Sequence, residues 1–64
     1  MEETPLEVSS KYVHGVTWPV LKGELLQAMQ QNGAPDDVLE TVRADRLERF
    51  VAPSDLHQAL WRAA

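Results

Sequence analysis

No cysteine occurs anywhere in the 64 residues, which excludes disulfides and thiolate metal sites at the outset. The two histidines, His14 and His57, are far apart in sequence and fit no recognised ligand spacing, so neither a metal nor a cofactor is expected. Aromatic residues are few: Tyr12, Trp18, Phe50 and Trp61. Long apolar runs are missing too, and the chain opens on Met1-Glu2-Glu3, so neither a signal peptide nor a membrane span is expected. A cytoplasmic location is the default. Positive charge is also in short supply, since six Lys and Arg face ten Asp and Glu and leave a net charge of −4. Duplex binding draws most of its affinity from neutralised phosphates, so this balance argues against a nucleic acid and for solubility or a basic partner.

What remains is one small domain over residues 1–64, with residues 1–3 free to be disordered. Its total stability should be about 3–10 kcal/mol by the usual per-residue range. A chain of this size buries roughly 60% of the surface its unfolded form exposes, so packing or self-association has to suffice.

The most informative stretch is Asn32-Gly33-Ala34-Pro35-Asp36-Asp37. Gly33 suits the left-handed residue that ends a helix, Pro35 the first helical position of the next, and the two acids the new first turn. Two helices therefore meet at a tight corner. Thr4-Pro5-Leu6-Glu7 has the form of a capping box and starts helix one, which should run from Pro5 to about His14 and stop at Gly15. Its inner stripe is Val8, Tyr12 and Val13, and its outer face Ser9, Ser10 and Lys11. Val16 to Val20 reads as an extended connector, bent at Pro19 and too short for a sheet of its own. Helix two should begin between Pro19 and Lys22 and end at Asn32, burying Leu21, Leu25, Leu26 and Met29. Helix three should run from Pro35 to about Ala44 with Val38, Leu39 and Val42 inward. Residues 45–51 read as a helical turn or an irregular loop whose Phe50 plugs the core. Pro53 opens the last helix, with Leu56, Ala59, Leu60 and Ala63 on one face. The fold class is all-α, a compact bundle of about four short helices with corners at Gly15, Pro19, Gly33, Pro35 and Pro53.

Pro5 to Val13 and Pro53 to Trp61 echo one another, each with Pro, an acid two places on, an aliphatic residue and then Tyr12-Val13 or Leu60-Trp61. Shared helix-start chemistry accounts for the echo without duplication.

In order and spacing, Gly15-Val16-Thr17-Trp18-Pro19, Lys22 with Glu24-Leu25, Asn32-Gly33-Ala34-Pro35, and Phe50 before Pro53-Ser54-Asp55-Leu56 resemble a bacterial family, the domain of unknown function DUF2795. The likeness runs from about Thr4 to Leu60. Leu21 stands where the family tends to place a small hydroxylated cap, Gly23 replaces an expected helix former, and Ala44 to Leu47 lacks a usual Leu-Pro. The resemblance implies a fold and a bacterial origin, and it carries over no catalytic or binding residue.

Chemical motifs are weak throughout. Asp36-Asp37 would need to face one shielded atom to act as an acid/base pair, yet adjacent helical residues diverge by about 100° at 3.6 residues per turn. Neither histidine has a nucleophile beside it, and Ser9, Ser10 and Ser54 lack the context of a nucleophile elbow. Arg43, Arg46 and Arg49 recur every third residue, but Asp45 and Glu48 interleave with them and make a self-paired solvated face the better reading. Trp18 is expected to seal the core. Trp61 sits just beside the Leu56/Leu60 stripe and marks an interface if exposed, because tryptophan is enriched in binding hot spots.

These readings favour a non-enzymatic module that works by protein contact or self-association as a homodimer, through Tyr12, Trp18, Leu60 and Trp61. The alternative is a nucleic-acid-associated regulator using a helix-turn-helix-like pair around Gly33, disfavoured by the acids that open its reading helix.

Overall fold

Thr4 is held in extended geometry (φ −74°, ψ 156°); its hydroxyl accepts the Glu7 amide at 3.2 Å while its own amide donates to Glu7 Oε1 at 3.1 Å. That closed capping box starts α1 (Pro5–Lys11). The structure, a computed structural model, describes residues 4–63. The expectation for residues 1–3 lies outside them.

Helix α1 is shorter than the sequence suggests. It ends at Lys11 with Tyr12 as its C-cap, and Gly15 follows in a turn at φ 82°. Just past the helix, the side-chain amide of Asn32 donates to the Tyr12 carbonyl at 3.1 Å and to the His14 carbonyl at 3.0 Å, satisfying two groups that a helix end leaves without partners. The inward face is Val8, Ser9 and Tyr12, so Ser9 is not on the outer face. Its hydroxyl donates to the Leu6 carbonyl at 3.1 Å, which removes most of the cost of burying it.

Residues 16–19 form a connector that bends at Trp18 and Pro19, across a cis peptide bond, where the sequence suggests an extended piece through Val20. The next two residues find a partner far along the chain: β1 (Val20–Leu21) pairs antiparallel with β2 (Arg49–Phe50), Val20 opposite Phe50 and Leu21 opposite Arg49. Residues 45–51 are therefore a bend and a strand rather than a helical turn or a plain loop. Alternation across the ribbon turns Val20 and Phe50 into the core and Leu21 and Arg49 out to solvent. Leu21 is 55% exposed, which corrects its expected burial.

Helix α2 (Lys22–Gln31) springs directly from this ribbon. Its N-cap, Leu21, supplies no side-chain bond; the Lys22 amide instead donates to the Glu48 carbonyl at 2.8 Å. Leu25 and Met29 are fully buried and Leu26 half-buried. At the far end Gly33 adopts φ 87°, its amide reaching the Gln30 carbonyl and the Ala34 amide the Met29 carbonyl, both at 3.0 Å. Those two bonds define a Schellman stop. Pro35 then proves to be the N-cap of α3 (Asp36–Ala44) rather than its first helical residue, because it remains extended (ψ 154°) while its carbonyl accepts the Leu39 amide.

Helix α3 buries Val38, Leu39 and Val42, and α4 (Pro53–Ala63) buries Leu56, Ala59 and Leu60. Ala63, one turn past Leu60, is exposed because the core ends before it. Helix α1 packs on α4, α2 on α3, and α3 on α4, around one core that Phe50 enters from the ribbon. The described residues thus form a four-helix, all-α globule carrying one ribbon of two two-residue strands.

Two glycines provide a test with opposite signs. Added methyl groups would meet open space at both Gly33 and Gly23, so only the backbone differs. Gly33→Ala should destabilise by about 1–2 kcal/mol, the cost of a left-handed non-glycine residue. Gly23→Ala, inside α2, should stabilise by up to about 1 kcal/mol. Urea unfolding followed by circular dichroism measures both, and equal shifts of one sign would refute the corner.

Candidate functional site

Two features outside the core deserve a chemical reading, a polar latch and a set of exposed apolar side chains. The latch begins with Lys22, whose side chain is only 12% exposed. Its ammonium donates to the Arg43 carbonyl at 3.1 Å and to the Asp45 carbonyl, and pairs with Glu48 at 2.8 Å. A cation thus sits where the α3 dipole is negative. Asp45, just past α3, accepts the Leu47 amide at 3.0 Å and the Arg62 guanidinium at 3.0 and 3.1 Å. Burial pushes its carboxyl up, but the Leu47 bond, the bond and charge of Arg62 and the charge of Lys22 outweigh burial and hold it below the ordinary carboxylate value. The latch joins the start of α2, the end of α3 and the end of α4. Its acids and bases neutralise one another, which suits a structural tie better than a reacting centre.

Beside the latch lies a shallow groove of about 570 Å³ between α3 and α4, with Glu40, Thr41 and Arg46 on its walls. Glu40 pairs with Arg43 and Asp45 with Arg62, so neither sign dominates its vicinity. Arg43, Arg46 and Arg49 do not share one stripe, because α3 stops at Ala44 and leaves Arg46 in the bend and Arg49 on the ribbon. Asp36 and Asp37 are exposed in the first turn of α3, as dipole-complementing acids. His14 is exposed, and Ser10 bonds back to its own helix.

Of the four expected contact residues, two lie inside. Tyr12 is 6% exposed and Leu60 fully buried, because α1 and α4 pack against each other and turn their echoing stripes inward. They are core residues, not contact residues. Trp18 packs half-buried against the core, the sealing position expected of it. Trp61 is 67% exposed. His57, one turn earlier on α4, stacks on its ring with centroids 6.2 Å apart and planes 18° from parallel. The enclosed His57 Nδ1 has no hydrogen-bond partner among the described residues.

A second exposed group escapes sequence reasoning. Leu21, on the outer side of the ribbon with Arg49, and Val51, just past it, are 55% and 57% exposed. The signal was present in the alternation of Arg49, Phe50 and Val51, which puts Val51 outside once Phe50 is inside. Among the described residues no three His, Asp or Glu side chains converge as a metal-holding group, and no helix is long and apolar enough to cross a membrane.

These features define a small all-α domain with an ion-paired latch and isolated exposed apolar side chains. The chain belongs to the family described as a protein of unknown function, DUF2795, whose model matches residues 3–56. No curated protein and no solved structure matches it. His57, Trp61 and Arg62 lie beyond the matched residues.

Proposed function

We propose that this domain is a non-enzymatic protein-contact module anchored by the indole of Trp61. The observation that carries the reading is a tryptophan left 67% exposed in a chain with only four aromatic residues. An indole of this kind offers about 150–250 Å² of apolar surface to a partner. The stack on His57 restricts the ring before contact, which lowers the ordering cost of binding. The net charge of −4 favours a partner with a basic rim, and a second copy of the chain held by the indole alone is the other arrangement within the same reading. A nucleic-acid role for the α2–α3 corner has less support, because α3 opens with exposed Asp36 and Asp37.

Sedimentation over a wide concentration range and affinity capture from the native host, each with wild type and Trp61→Ala, test the proposal. The variant should keep wild-type circular dichroism and lose self-association or its captured partner. A strict monomer whose captured proteins are identical with and without the indole would contradict it.

A further inference from the structure

The one asparagine of this chain, Asn32, is followed by Gly33. In general chemistry an Asn-Gly pair is the sequence most open to spontaneous deamidation, because glycine presents no side chain to the closing ring. We propose that Asn32 is a deamidation site which the native fold holds shut and which opening of the α1–α2 clamp releases. The reaction needs only water. The Gly33 nitrogen loses its proton and attacks Asn32 Cγ; the new C–N bond closes a cyclic imide as the Cγ–Nδ2 bond breaks and ammonia leaves. Water then opens the imide at either carbonyl, giving aspartate or isoaspartate.

The leaving group and the attacking nitrogen are both restrained here. The leaving amide donates to the Tyr12 and His14 carbonyls at 3.1 and 3.0 Å. The attacking nitrogen still holds its proton, donated to the Gln30 carbonyl at 3.0 Å. Asn32 itself is fixed at φ −85°, ψ 6°, with its amide bonded to the Ala28 carbonyl at 3.0 Å. Ring closure requires the Gly33 amide and the Asn32 side chain to leave their partners and the Asn32 backbone to rotate, so the rate reports local opening of the corner. The product cannot restore the clamp. An ionised carboxylate has no proton to donate, and would face two carbonyl oxygens where the amide had bridged them. Isoaspartate also adds a carbon to the backbone inside the Schellman turn. A copy that has opened for long enough is thereby marked and barred from its original closure.

The test incubates the full chain in warm, mildly alkaline buffer, with and without enough urea to unfold it, and follows residue 32 by peptide mass spectrometry with isoaspartate detection. Native protein should react at least about tenfold more slowly than unfolded protein, as expected when reaction requires opening. Val8→Ala, which loosens α1 from the core without touching the corner, should move the native rate toward the urea rate. Asn32→Asp should exchange the amides of residues 12–16 several-fold faster than wild type. Equal rates with and without urea would overturn the proposal, as would a Val8→Ala rate identical to wild type. An Asn32→Asp chain with wild-type protection over residues 12–16 would overturn its clamp. Should that variant not fold, the two rate comparisons decide.

Discussion

Phe50→Ala is expected to lower stability by about 3–5 kcal/mol, the range for truncating a large buried aromatic. Phe50 is fully buried and the bulkiest of the fully buried side chains. It is also the point where a two-residue strand enters a helical core, opposite Val20 and against α4. The Lys22 amide, bonded to the Glu48 carbonyl, ties the ribbon to the start of α2 and resists its inward collapse into the cavity. A domain of this size has only about 3–10 kcal/mol in total, so the variant should be largely unfolded at room temperature or close to its midpoint. Thermal and urea melts followed by circular dichroism measure this. A cooperative transition displaced by less than about 1 kcal/mol would mean that the core closes without its plug.

Asp45→Ala should produce the next largest loss, about 1.5–3 kcal/mol, the range for hydrogen bonds to charged groups. The carboxylate side chain is 9% exposed, and its removal strands the Leu47 amide and leaves Arg62 without its anion, while Lys22 keeps its pair with Glu48. The Arg62 side chain, 37% exposed, can turn to water, which keeps the loss below that of a fully buried pair. The same group links folding to acidity. Its folded-state pKa is lowered, so its contribution is complete above the unfolded carboxylate value and disappears as pH falls through the lower folded one. Wild type should therefore lose stability as pH drops below about 4. Asp45→Asn should be less stable at neutral pH and flatter across that acid limb. A wild-type melting temperature constant from neutrality to acid, or an Asp45→Asn profile parallel to it, would show the latch to be energetically idle.

Where local chemistry decides, the sequence was readable. The Thr4 capping box, the Gly33 stop, the Pro53 start and the inward faces of α3 and α4 each depend on residues within one or two turns. Long-range partners decided the rest. The turn after α1 is tied down by Asn32, twenty residues on, and Leu21 faces solvent because Val20 pairs with Phe50. Pattern alone cannot reveal that α1 and α4 face each other, and this is what removes Tyr12 and Leu60 from the surface. No local pattern signals that the Lys22 ammonium reaches the carbonyls at the end of α3. The position of Trp61 beside the Leu56/Leu60 stripe left burial and exposure both open, and only the packed helices resolve it as exposed.

The proposed function depends on that indole standing outside the core while the other is sheltered. Iodide quenching of tryptophan emission on Trp18→Phe and Trp61→Phe separates the two. With Trp18 replaced, emission should be red-shifted and quenched nearly as steeply as a free indole; with Trp61 replaced, it should be bluer and several-fold less quenched, as a half-buried ring beside the core requires. Equal quenching of both variants, or a sheltered Trp61 in dilute monomer, would contradict the arrangement and the contact role built on it.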